Sequence, residues 1–200
     1  MKLKCAEIAL LLSLSLTLVV GALAADRQDA LAGQVIRLHV IANSDTEADQ
    51  ALKLKVRDAV LAQASGCLQA SEGRAQAEAA LRDALPRLEE TAREVIRGDG
   101  AAYPVTARLE PYAFPTRYYD GFALPGGTYL SLRLIIGSGE GHNWWCVVFP
   151  SLCTAAAGDL TQTAREGGME PSEIELMEAP YTLRFRVVEL WQQLRAWLRK

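Results

Sequence analysis

The chain has 200 residues, half of them hydrophobic and 22% charged, which suits one globular core plus whatever the N-terminus adds. The formal net charge is −3, and no run of basic residues is present that would attract nucleic acid. Internal repeats and low-complexity tracts are absent, which leaves solenoid and disordered architectures aside.

The N-terminus reads as an export signal. Lys2 and Lys4 form a short basic region, residues 8–20 an apolar run, and Ala22-Leu23-Ala24 before Ala25 an A-x-A cleavage pattern. Residues 1–24 are therefore expected to be a signal peptide and residues 25–200 a single exported domain. The competing reading is an uncleaved anchor, against which the apolar run is short and Glu7 sits at its edge. Cleavage would remove Lys2, Lys4 and Glu7 and leave the exported part near −4. Export also changes how cysteine is read: Cys146 and Cys153 become a disulfide candidate, while Cys67 is either buried and inert or open to pairing.

Residues 34–42, QVIRLHVIA, carry β-branched residues in partial alternation and predict a strand with one well-defined buried face. Ser44-x-x-Glu47 fits a capping box, so a helix should begin there. Ala48, Leu52, Val56, Ala59/Val60 and Gln63 share one face of it, Lys53, Arg57 and Asp58 fall elsewhere, and Gly66 is a plausible stop. Residues 72–97 give a second amphipathic helix, with a kink or break expected near Asp83 to Leu85 because Pro86 removes a backbone donor.

Beyond Gly98-Asp99-Gly100 the hydrophobic period changes from 3.6 to 2. Residues 103–111 and 128–136 alternate as strands, with a further extended segment at 114–119 and a turn at Leu124-Pro125-Gly126-Gly127. The densest stretch is GSGEGHNWWCVVFPSLC, residues 137–153, a glycine loop feeding a Trp-Trp-Cys strand, which predicts a hairpin with the strand before it. Residues 154–171 read as a loop or short helix. Residues 181–185 add a further strand signal, and Val187, Leu190, Trp191, Leu194, Trp197 and Leu198 form one helical stripe. The expected architecture is α+β, a mostly antiparallel sheet with two or three helices packed on one face, plus a C-terminal amphipathic helix.

Several constellations carry chemistry on paper. His142-x3-Cys146 with Cys153 offers three metal ligands, but zinc sites favour short paired spacings, and a fourth ligand would have to come from distant His39. A Cys146 nucleophile lacks a local signature, and a bridge to Cys153 would remove it. Neither a metal nor another cofactor is called for. On a strand, Trp144 and Trp145 point to opposite faces, so one is core and the other an interface anchor, unless helices cover both faces. Asn43-Ser44-Asp45 is first a helix cap and second a contact site. The arginine-rich C-terminal stripe fits a core-packing helix or a membrane surface.

Two blocks go further. Residues 37–60, RLHVIANSDTEADQALKLKVRDAV, and 126–153, GGTYLSLRLIIGSGEGHNWWCVVFPSLC, joined by YPVTARLEPYAFPTRYYDG, closely resemble the stage II sporulation protein R family of endospore-forming bacteria. The likeness covers residues 35–153 and leaves 154–200 as a variable tail. It implies a protein made in the forespore and exported into the space between forespore and mother-cell membranes. There it would trigger a membrane-embedded aspartic protease, which then cleaves the precursor of sigma factor E. It supplies no catalytic residues. The implied partner is the extracytoplasmic part of that polytopic protease. Asn43, Ser44 and Asp45, with His142, Asn143 and Trp144, are the expected partner-binding residues, because both groups sit in loops at strand ends. The competing classes are an exported cell-wall hydrolase or thiol/metal enzyme using His39, His142 and Cys146, and a wall-binding module.

Overall fold

The computed structural model of the chain describes residues 4–119, 122–152 and 160–178. Helix α1 (Cys5–Gln34) leads into β1 (Ile36–Ile41), then α2 (Glu47–Leu68) and α3 (Arg74–Gly98). Next come β2 (Val105–Phe114), the short strands β3 (Arg117–Tyr119) and β4 (Phe122–Leu124), and β5 (Gly127–Ile136) and β6 (Asn143–Phe149). Helices α4 (Leu160–Glu166) and α5 (Pro171–Glu178) follow. The main sheet has the order β2-β5-β1-β6. Its outer pairs β2/β5 and β1/β6 are antiparallel, and the central pair β1/β5 is parallel. β3 and β4 form a separate antiparallel ribbon. The chain is α+β, as its sequence indicates.

The expected hairpin of β5 with β6 does not form, because β1 lies between them. Two neighbouring inter-strand spacings amount to about 10 Å, and the six-residue glycine loop is long enough to step over the end of β1. The loop is pinned there by Glu140 N–H to the Asn43 carbonyl (3.3 Å) and Gly141 N–H to the Ala42 carbonyl (3.0 Å). β1 is central, and all six of its residues are buried, not those of one face alone. Ile36, Leu38 and Val40 enter the core beneath α2 and α3, whereas Arg37 and His39 lie on the opposite side.

On the first face, α2 and α3 close the core. The cap of α2 is Thr46, whose hydroxyl accepts from the Asp49 amide, so the Ser44-x-x-Glu47 capping box is not used. The helix passes Gly66 and continues to Leu68. Lys53, expected on the outer side, belongs to the buried face with Asp49, Leu52, Val56 and Val60. α3 runs unbroken through Pro86, whose side of the helix is exposed while Leu81, Ala84, Leu88, Ala92 and Ile96 hold the other side in the core. That apolar stripe outweighs the lost backbone bond.

The second face is covered by different elements. Leu31 and Val35 of α1 and its junction, Phe122 and Leu124 of β4, and Ile174 and Met177 of α5 surround Tyr129, Phe114 and Val147. Helices are therefore not confined to one face. The Gln28 side-chain amide donates to the Gly126 carbonyl, which fixes the end of α1 against the start of β5. Earlier in α1 the leucines are exposed, and the helix is long and apolar enough to cross a membrane, by length and composition. It runs as one helix through the expected cleavage point at Ala24 and Ala25. Part of the 154–171 stretch is α4, as a short helix was one expectation there. Cys153, the strand signal at 181–185 and the C-terminal helical stripe lie outside the described residues.

Candidate functional site

Asn43, Ser44 and Asp45 follow β1, and His142, Asn143 and Trp144 open β6. The structure brings the two groups together at one end of the sheet. The contact is made by backbone as much as by side chains. Gly137 has φ +59°, a left-handed conformation open to glycine, and a Cβ there would lie 2.7 Å from the Asn43 side-chain carbon. At Gly141 a Cβ would lie 2.6 Å from the Ser44 carbonyl carbon, so only hydrogen lets the two loops approach this closely.

Polar bonds then cross-link the loops. Asn43 Oδ1 accepts from the Ser138 amide (3.0 Å), and the Ser138 hydroxyl donates to the Asn43 carbonyl (2.7 Å). Asn43 Nδ2 (2.9 Å) and the Ser44 hydroxyl (2.5 Å) both donate to Asp49 Oδ2. Asp45 Oδ1 accepts from the His142 amide (2.6 Å) and pairs with the His142 Nδ1. These bonds hold both carboxyl groups below the ordinary carboxylate range: at Asp45 chiefly the His142 bonds, at Asp49 chiefly those from Ser44 and Asn43. Beneath them Lys53, 5% exposed, donates to the His142 carbonyl (2.9 Å) and to Gln50 Oε1 (2.5 Å).

The tryptophans part as strand geometry requires. Trp144 is 38% exposed, and the Arg57 guanidinium of α2 stacks 4.2 Å from its ring centroid. Trp145 is half-buried on the second face, with the Arg117 guanidinium 3.5 Å above it and the His39 ring 5.7 Å away. His39 lies 2.7 Å from Asn143 through Nε2 and Oδ1, and burial pushes its pKa down to about 4. It is therefore neutral near pH 7 and donates from Nε2, aiming Asn143 outward. The edge exposes Asp45, His142, Asn143 and Trp144, with Asn43 and Ser44 half-buried under them.

Residues 32–159 match the stage II sporulation protein R family. The chain belongs to that family. Among curated proteins it is similar to the stage II sporulation protein R of Bacillus subtilis (strain 168), 36% identical over 120 residues, covering 60% of this chain and 54% of that one. It thus spans about half the length of the curated relative. No solved structure matches. The matched stretch of this sporulation protein holds β1, α2 and α3, the main sheet and the whole loop edge.

In this family member the residues named for an enzyme are not gathered. His39 is buried on the second face, His142 is exposed beside Asp45, and Cys146 is buried in the core under the helices. Among the described residues no group of three or more His, Cys, Asp and Glu side chains is placed to hold a metal ion. Cys67 is a half-buried free thiol. The pairing of Cys146 with Cys153 involves a residue outside those described. Sequence reasoning missed Lys53, Gln50 and Arg57 as parts of this site. Lys53 sits four residues after Asp49, on the same side of α2, but a lysine on a helix reads as solvated until β6 is placed beside it.

Proposed function

We propose that this protein is an exported sporulation signal that binds the extracytoplasmic part of a polytopic membrane aspartic protease and favours its active state, leading to processing of the sigma factor E precursor. Membership of the stage II sporulation protein R family carries the reading. Two features of the chain support it. α1 supplies an apolar segment suited to export or anchoring, and the Asp45/His142/Asn143/Trp144 edge supplies an exposed, partly aromatic surface cross-linked by hydrogen bonds. Cys146 and Cys153 staple the end of β6 in this reading, where export permits a disulfide.

Activation of this kind needs no chemistry in the ligand. The signal has only to bind the active state of the protease more tightly than the inactive one, and about 1.4 kcal/mol of difference shifts the ratio tenfold. The test is co-expression of this chain with the candidate protease and the sigma-factor precursor in a non-sporulating host. Processing should require export of this chain, and His142→Ala with Asn143→Ala and Trp144→Ala should abolish it while the protein is still exported. Processing that proceeds equally with the triple variant would remove the loop edge from the mechanism.

A further inference from the structure

Lys53 is the one buried lysine in the described core, and both of its hydrogen-bond acceptors, Gln50 Oε1 and the His142 carbonyl, are uncharged. Burying an ammonium in this way is unfavourable unless its surroundings are arranged around it. The surroundings form a closed ring. Lys53 donates to the His142 carbonyl, the His142 amide donates to Asp45, the Gln50 amide donates to Asp45 (3.3 Å) and to the Ser44 carbonyl (2.9 Å), and Gln50 accepts from Lys53. The ring joins α2, the loop after β1 and the loop before β6. Burial lowers the Lys53 pKa, the nearby negative charge of Asp45 partly offsets this, and Arg57 adds to the lowering.

We propose that Lys53 is the positioning residue of the partner-binding edge: its buried ammonium fixes the His142 carbonyl, and through that peptide aims His142, Asn143 and Trp144 at the partner. The proposal rests on the loop-edge reading above. Lys53 itself touches no partner; it acts by keeping the glycine loop in one arrangement, so that binding does not have to order it. Gln50 is its relay to Ser44 and Asp45.

Lys53→Met keeps the unbranched stem and removes the donors. In the full chain, solubilised in detergent, amide hydrogen exchange over residues 138–143 should quicken between about tenfold and a hundredfold, the range for losing one hydrogen bond from a charged group, with β1 amides unchanged. Unchanged loop protection overturns the proposal, and so does an equal rise in β1, which would make Lys53 a general core residue. If Lys53→Met does not accumulate, Gln50→Leu leaves the ammonium in place and should quicken the same amides; no change there overturns the proposal as well. In the co-expression assay, Lys53→Met should lower processing while the protein is still exported. Full processing with a loosened loop overturns the positioning role. Full processing with the triple variant instead removes the partner-binding reading, and the exchange result for Lys53 then stands alone.

Discussion

Gly141 is the narrowest point between the two loops. A methyl group there meets the Ser44 backbone, which cannot swing aside as a side-chain tip does. Gly141→Ala should therefore destabilise the chain by about 1–3 kcal/mol, read as a lower urea midpoint, and should also displace His142 from Asp45. An unchanged midpoint would mean the loops separate without loss. His39 gives a pH-dependent counterpart. Its folded pKa, about 4, lies below its ordinary 6.5, so the unfolded chain binds the proton first as pH falls. The associated stability is fully present above roughly pH 6.5 and is lost on descending towards pH 4, by about 3 kcal/mol in all. His39→Gln retains a donor for Asn143 and cannot titrate, so its stability should fall less than that of the parent across this window in urea titrations at each pH. Parallel curves would show that His39 takes up its proton at the same pH in the folded chain as in the unfolded one. Of these residues, the loop groups were legible because strand ends bordered by glycine and short polar side chains present contacts. Lys53 and Arg57 were not, since a charged side chain on a helix is ordinarily solvated and only the fold shows that β6 lies beside them.

At the scale of elements, the strands and helices follow their periodicity and the pairing does not. β1 carries Arg37 and His39 among its apolar residues, so it imitates the alternation of a strand with one wet face. In the fold those two polar residues are covered as well. The Arg37 guanidinium lies 4.0 Å from the Phe114 ring centroid and donates to the Tyr119 hydroxyl at 2.5 Å, while His39 packs on Tyr112 and Trp145. The glycine loop likewise imitates a hairpin turn, because local chemistry cannot register that a strand nearly a hundred residues earlier fills the space between its ends. α3 shows the opposite error, in which a strong local signal is overridden. Pro86 is exposed within a continuous helix, so Pro86→Ala adds a backbone donor and removes no packing. It should raise stability by roughly 1–3 kcal/mol in urea titration, with the larger value for an unstrained helix. A loss of stability would show that the ring of Pro86, by restricting the unfolded chain, contributes more than the missing donor costs.

The whole molecule places its two ends in different roles. α1 docks where β1 and β5 begin, through Gln28 at Gly126 and through Leu31 and Val35 in the second core. The loop edge sits where β1 and β5 end and β6 starts, one six-residue strand away, about 20 Å. The apolar part of α1 therefore projects from the end of the sheet opposite the edge, and a membrane holding that segment would leave the edge facing away from it. This arrangement depends on the last turns of α1 belonging to the folded domain and not to the apolar segment that precedes them. The same substitution at two points of the helix separates the cases. Leu31 is fully buried, so Leu31→Ala should lower the stability of the detergent-solubilised full chain by about 2–5 kcal/mol. Leu12, 65% exposed, should change it by less than about 0.5 kcal/mol when replaced by alanine. Equal effects at the two positions would mean that α1 is one apolar rod with no share in the core, and the fixed separation between apolar segment and loop edge would go with it.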